Sequence, residues 1–194
     1  MPPKAKVTRD MIVDAAFDLV RAEGQGALNA RAVARRLGCS TQPVLYAFAT
    51  MEELKAAVYA RADDFHTAYI LPKDAAGDAA LLALGLNYVR FGHEERHLFR
   101  FLFESNQFGG MDMKSLLRGP GADALVTILA EGLGCETKAA EKVFLTFFAV
   151  AHGLASLLCH NAMAYDEAEC QTMLETVFYG ALASMKGDTN AQPL

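Results

Sequence analysis

From Val143 to Cys159 the chain runs seventeen residues without an aspartate, glutamate, lysine or arginine. A membrane span wants about 20 predominantly apolar residues. This run is short of that and is interrupted by Thr146, His152, Gly153 and Ser156. A soluble helix that is apolar all round must be buried on all sides. The next helix, about Glu167–Lys186, carries a stripe at three- and four-residue steps: Cys170, Met173, Leu174, Val177, Phe178, Ala181, Leu182 and Met185. Two such helices expose more apolar surface than a small monomer can hide. Pairing with a second copy makes a four-helix interface. The expected assembly is a homodimer, with Leu174, Val177, Phe178 and Ala181 at the interface. One side of the Val143–Cys159 helix then faces the partner and the other an internal cavity. No membrane partner is expected.

Composition agrees with an all-α fold. The chain holds 34 Ala, 24 Leu and 8 Met against 14 Val plus Ile, in 194 residues, a mixture that favours helix over strand. Its apolar content excludes disorder over most of the length. Charge is unevenly spread. Residues 1–48 hold seven basic and four acidic residues, and the remainder eleven and nineteen. A basic head on an acidic body suggests an anionic partner for the head alone. Solvated helix faces are the plain alternative. Cys39, Cys135, Cys159 and Cys170 contain no C-x-x-C pair, and no basic stretch followed by an apolar core opens the chain. Reduced thiols in a cytoplasmic protein are expected, as buried filler or as a redox switch.

The head reads as an arm and three helices. Met1–Val7 is a loose arm. Thr8 caps a first helix with Asp10 in its first turn, and Ile12, Ala15, Ala16, Leu19 and Val20 share one face. Gly24 and Gly26 stop it. Asn29 caps a short second helix, Ala30 to Leu37, with Val33, Ala34 and Leu37 inward and Arg31, Arg35 and Arg36 outward. Gly38 allows a sharp turn. Ser40 caps a third helix over Thr41–Phe48, with Pro43 in its first turn. Val44 and Phe48 face the core, leaving Thr41, Gln42, Leu45 and Tyr46 outward. Thr50-Met51-Glu52-Glu53 is a capping box that opens a fourth helix running to about Ile70.

Two short helices joined through a glycine turn are the helix-turn-helix pattern. Such a helix enters the major groove of DNA with its N-terminal residues on the base edges. Gln42 can pair bidentately with adenine. Leu45 and Tyr46 can touch a thymine methyl or a sugar, and would otherwise form an unhelpful exposed apolar pair. Asn29, Ser40, Tyr46 and Thr50 are candidate phosphate contacts, and Arg31 and Thr41 complete the candidate DNA-binding set. The fourth helix's N-terminus is a natural phosphate seat. An ordinary helical hairpin has the same pattern.

Residues 8–59 resemble the DNA-binding domain of the TetR family of transcriptional regulators. The resemblance rests on Ile12-Val-Asp-Ala-Ala-Phe17, Arg31-Ala-Val-Ala-Arg-Arg-Leu-Gly38, Cys39-Ser-Thr-Gln-Pro-Val-Leu-Tyr-Ala-Phe48 and Thr50-Met-Glu-Glu-Leu54. It implies a three-helix DNA-binding domain over 1–49 and a helical effector-binding and dimerisation domain over 50–194. It also implies a homodimer on a palindromic double-stranded DNA operator. A basic residue, common in the family at the positions of Thr41 and Met51, is missing here. That implies fewer phosphate contacts and a shallower salt dependence.

In the body, a connector over Asp74–Asp78 precedes a helix over Ala79–Gly92, with Leu82, Leu86 and Val89 on one side and Tyr88 and Phe91 nearby. The next helix spans about Glu94–Phe108, a short one follows around Asp112–Leu117, and another covers Ala122–Leu133. Leu86-Asn-Tyr-Val-Arg-Phe91, Leu98-Phe-Arg-Phe-Leu-Phe103 and Ala151-His-Gly-Leu-Ala155 resemble a group of TetR-type C-terminal domains, which implies a small-molecule pocket. Candidate lining residues are Tyr88, Phe91, Phe101, Met111, Phe148 and His152, because pockets combine apolar walls with a few polar groups. The plain alternative for His152 is a core histidine bonded to backbone. With so few charges nearby, the effector should be apolar or aromatic. The expected function is a ligand-responsive regulator, a repressor released from its operator by a small apolar effector.

His93-Glu94-Glu95-Arg96-His97 matches the H-E-x-x-H zinc pattern, and a small metallohydrolase using His93, Glu94 and His97 is the enzymatic alternative. The match falls where one helix ends and the next begins, and no third ligand is evident. No metal, cofactor or catalytic residue is therefore expected. A third reading is a helical dimerisation protein whose head no longer binds DNA.

Overall fold

The computed structural model describes residues 7–72, 77–104, 120–161 and 163–188. Met111, the helix expected over Asp112–Leu117 and all of the arm but Val7 lie outside them. The described residues form helices with no strand: α1 (Arg9–Glu23), α2 (Ala30–Arg36), α3 (Gln42–Ala47), α4 (Met51–Ile70), α5 (Gly77–Glu94), α6 (Arg96–Phe103), α7 (Pro120–Leu133), α8 (Thr137–His160) and α9 (Glu167–Asp188). They group into two compact units. One holds α1–α4, up to Tyr69, together with α6. The other holds α5 and α7–α9. Packing keeps α4 and α6 with the first helices, whereas the expected division fell at residue 49.

In the first unit the caps do what the sequence asks. The Thr8 hydroxyl accepts from the Met11 amide at 3.2 Å, and Ile12, Ala15, Ala16, Leu19 and Val20 are buried, with Phe17 added. Gly24 ends α1 at φ 84°, and a Cβ there would also crowd the His97 ring at 3.1 Å. Asn29 Oδ1 accepts from the Ala32 amide at 2.9 Å. Gly38 turns at φ 64°. The Thr50 hydroxyl accepts from the Glu53 amide at 3.1 Å, and the Glu53 carboxylate accepts from the Ala49 amide at 2.9 Å.

The cap of α3 differs from expectation. Thr41, not Ser40, is the N-cap residue, its backbone is helical, and no side chain caps the helix. Pro43 in the first turn lacks the N–H that a cap would satisfy, which lowers the need for one. At the other end of the unit, α6 stops at Phe103 rather than Phe108. It is held at both ends. Arg21 binds Glu95 just before its first residue, and the Tyr59 hydroxyl donates to the Leu102 carbonyl at 3.3 Å near its last. Leu98, Phe99, Phe101 and Leu102 are buried between these anchors.

The second unit is built on α8, which packs against α5, α7 and α9. Close approach needs glycine. A Cβ at Gly85 of α5 would collide with the Phe147 ring, and one at Gly92 would come within 2.8 Å of Ala155 Cβ. The buried side of α5 is Leu81, Leu84, Tyr88, Val89 and Phe91. Leu82 and Leu86 are only half-buried, so the expected apolar side is rotated: the two glycines, not the leucines, set which face meets α8.

Helix α8 is long and apolar enough to cross a membrane by length and composition. Val143, Phe144, Phe147, Ala151, Ala155 and Leu158 are buried inside the unit, so it acts as its core helix. It is not buried all round, however. Thr146, Ala149, Gly153 and Leu157 remain exposed along one face.

Candidate functional site

The α2–turn–α3 hairpin presents the candidate DNA-reading residues. Val33, Ala34, Val44 and Phe48 are buried and fix the hairpin on α1. The Arg9 guanidinium lies 4.3 Å over the Phe48 ring. Gln42, at the first position of α3, is exposed. Leu45 is 60 % and Tyr46 81 % exposed. Arg31 and Ser40 are exposed and Thr41 half-buried. The structure thus brings all of these to one short hairpin and its turn. Thr50 and Asn29 are partly committed already. Asn29 caps α2 and donates from Nδ2 to the Ala27 carbonyl at 3.0 Å. The capping box takes two amides at the start of α4 and places Glu52 and Glu53 in its first turn. That phosphate seat therefore offers fewer free donors, and more negative charge, than expected.

The six candidate effector residues separate. Tyr88, Phe148 and His152 meet in the second unit. The Tyr88 hydroxyl and His152 Nδ1 share a 2.9 Å hydrogen bond. The Tyr88 ring stands edge-on to Phe148 at 5.7 Å, and Phe148 lies 5.8 Å from His152. Burial pushes the Tyr88 phenol well above its ordinary pKa, so it stays protonated. His152 is thus bonded to a side chain rather than to backbone alone. Phe91 is fully buried on α5. Phe101 falls in the first unit, where its ring meets Tyr59 edge-on at 5.8 Å. Met111 is outside the described residues.

The sequence reading missed a cavity of about 350 Å³ between α5 and α7. Leu81 and Leu84 line it from α5, Leu125, Ile128, Leu129 and Gly132 from α7, and Leu71 and Pro72 from the segment that follows α4. Asp78 supplies a carboxylate. The signal was present. Leu125, Ile128, Leu129 and Gly132 recur at helical spacing, but an aliphatic stripe reads first as core.

A second open groove, about 400 Å³, runs between α8 and α9 and includes Thr146, Val177, Gly180 and Ala181. Of the four candidate interface residues, Val177 and Ala181 line this groove. Leu174 and Phe178 do not. Both are fully buried within the unit, Leu174 over Gly85 and Phe178 against the Phe147 ring at 6.0 Å. A stripe with helical periodicity does not say which part meets its own protomer. Here the inner part does.

The zinc-like pattern is split. His93 lies in the last turn of α5 and stacks on Tyr165 at 4.9 Å, whereas His97 belongs to α6. Glu95 breaks the helix between them at φ −109° and ψ 48°, so the two imidazoles do not share the one-turn spacing on which the metal reading depends.

A helical body with this topology follows a hairpin whose recognition helix is exposed, and the sequence of that body decides the relationship. Residues 81–178, just over half of the chain, match the family described as tetracyclin repressor-like, C-terminal domain. The chain belongs to the TetR family. Its solved structural neighbours cover both units. A TetR-like transcriptional regulator from Rhodococcus sp. RHA1 aligns over 94 % of this chain and 98 % of its own, with TM-score 0.64 and 16 % identity. A TetR-family regulator from Streptomyces coelicolor aligns over 92 % and 82 %, with TM-score 0.69 and 19 % identity. The multidrug binding protein EbrR, solved in complex with ethidium, aligns over 87 % and 96 %, with TM-score 0.56 and 23 % identity. No curated protein sequence matches. TetR-family regulators are transcription factors and not enzymes, which leaves the split histidine pattern without a catalytic role.

Proposed function

We propose that this TetR-family regulator is a ligand-responsive repressor that binds a palindromic operator as a homodimer and is released by a small apolar effector. The observation that carries DNA binding is the exposure of Leu45 and Tyr46 beside Gln42 on α3. Nothing among the described residues covers this apolar pair, and a major groove would. Gln42 reads a base. Ser40, Thr41 and Tyr46 lie beside it for backbone contacts, with Arg31, Asn29 and Thr50 at the edges of the hairpin.

Dimerisation is supported by the outer face of α8 and α9. A Cβ added at Gly153 or Gly180 would meet nothing among the described residues within 4 Å, unlike one at Gly85 or Gly92. With Thr146, Ala149, Val177 and Ala181 these two glycines form a face of small and apolar groups that lets a second pair of helices approach. Two heads then reach half-sites about 34–36 Å apart. An effector that favours one arrangement of the heads shifts operator affinity by its differential binding. Ligand binding is also the property named for EbrR. Such a protein acts inside the cell, where the DNA is.

Sequencing DNA fragments enriched by the purified protein tests the reading. A palindromic consensus is expected, bound with an affinity that falls with salt. Failure to enrich any sequence over bulk DNA would leave the chain a helical dimerisation protein.

A further inference from the structure

We infer that the cavity between α5 and α7 is the effector site and that its ligand is a small apolar organic cation. The inference rests on reading the chain as ligand-responsive, and gives that reading a place and a chemistry. The cavity's volume, about 350 Å³, falls within the range of small-molecule pockets, roughly 300–1,000 Å³. The Tyr88–Phe148–His152 cluster, by contrast, is joined by a hydrogen bond and ring contacts among its own side chains.

Gly132 supplies a second, independent observation. The other glycines of this unit's interior are explained by packing, since Gly85 and Gly92 lie against Phe147 and Ala155. Gly134, at φ 60°, accounts for the end of α7. Gly132 has neither reason. Its φ is not in the left-handed region, and a Cβ there would meet nothing among the described residues within 4 Å. It shares the cavity face of α7 with Leu125, Ile128 and Leu129 at three- and four-residue steps. Glycine is costly in a helix relative to alanine. Here it adds no side chain to the wall it lines. Ile128, 61 % exposed, and Leu71, 49 % exposed, leave apolar surface in water at the rim, which an apolar ligand would cover.

The charge of the ligand follows from the carboxylate on the wall. Among the described residues Asp78 is the ionisable group that lines the cavity. Asp78 forms no ion pair among the described residues. A carboxylate next to hydrocarbon walls favours a delocalised cation over a neutral molecule and repels an anion.

Three dyes of similar size test this on the full chain by fluorescence titration: cationic thioflavin T, neutral Nile red and anionic anilinonaphthalene sulfonate. Thioflavin T is expected to bind best and the sulfonate worst. Gly132→Phe fills the cavity and should abolish binding of both thioflavin T and Nile red. Ile128→Trp, at the exposed rim, does the same without altering the helix backbone, and guards against a folding defect in the first variant. Asp78→Asn should weaken thioflavin T about two- to fivefold at low salt and leave Nile red unchanged. Wild-type dye affinity in both filled variants would overturn the site. Tighter binding of the sulfonate than of thioflavin T, or equal effects of Asp78→Asn on all three dyes, would overturn the ligand class. Binding that never changes affinity for the enriched DNA fragment would overturn the effector role. Failure to enrich any DNA would instead remove the functional reading on which that role depends.

Discussion

Arg21 of α1 forks onto Glu95, with Nε donating to Oε2 at 2.8 Å and Nη2 to Oε1. The two residues are 74 apart in sequence, and the pair ties the start of α6 to the end of α1. Glu95 keeps only 12 % of its side chain exposed, Arg21 45 %. The guanidinium also lies 4.8 Å over the Phe65 ring of α4. One arginine thus joins three elements of the first unit. The carboxylate raises the arginine pKa further, so the arginine keeps its charge. Bidentate geometry strengthens it and solvent on the arginine side weakens it. Glu95→Gln should cost about 1 kcal/mol in denaturant unfolding and speed amide exchange in α6 with little effect on α8. Unchanged exchange in α6 would show that its apolar face alone holds it.

Gln42 is the sharpest test of DNA reading, because it is exposed at the first position of α3 and caps nothing. Gln42→Ala should lose about 1–3 kcal/mol on the enriched sequence and relax preference at one base pair. An equal loss on every sequence would make it a backbone contact. With no basic residue at Thr41 or Met51, the slope of log affinity against log salt should also be shallow, near one unit per phosphate contact.

His66 makes stability depend on pH. It is buried in α4, its ring edge-on to Phe103 at 5.2 Å, and burial lowers its pKa from 6.5 to about 4. The unfolded chain binds a proton near pH 6.5, and the folded chain only near 4. Stability is therefore complete above pH 6.5 and falls as the pH drops towards 4. The loss approaches about 3 kcal/mol. His66→Phe should flatten the curve of unfolding free energy against pH over that window. A variant curve parallel to the wild type would show that other groups set the acid limit.

Much of this was legible in the sequence, for local reasons. Thr8, Asn29 and Thr50 cap the helices they precede, and Gly24 and Gly38 take the positive φ that marks their turns. Caps and turns depend on neighbours within four residues, so a linear reading finds them. Apart from the cap of α3, the misses are tertiary. Phe101 was expected among effector residues but lies on Tyr59, because the chain breaks at Glu95 and α6 packs with α1. The cavity was hidden because Leu125, Ile128 and Leu129 look like core until the face opposite them is known. Periodicity also found the apolar stripe of α9 without revealing that Leu174 and Phe178 point inward.

That last distinction separates assembly from folding. Val177 lines the open groove between α8 and α9, while Leu174, three residues earlier, is buried over Gly85. Val177→Glu places a charge where the second copy's helices would pack. It is expected to give a monomer by sedimentation, with wild-type helicity and thermal unfolding close to that of an isolated protomer. A charge desolvated at an interface without a partner costs several-fold more than the valine contacts it replaces. Binding to the full palindrome should fall with it, because one head holds only one half-site. Leu174→Arg acts differently. Its guanidinium would enter the closed space between α5, α8 and α9, so helicity itself is lost, at a cost of about 4 kcal/mol or more. If Val177→Glu remains dimeric and binds the palindrome at wild-type affinity, the α8–α9 face is not the interface. Loss of helicity in Leu174→Arg would then still stand as a statement about the protomer alone.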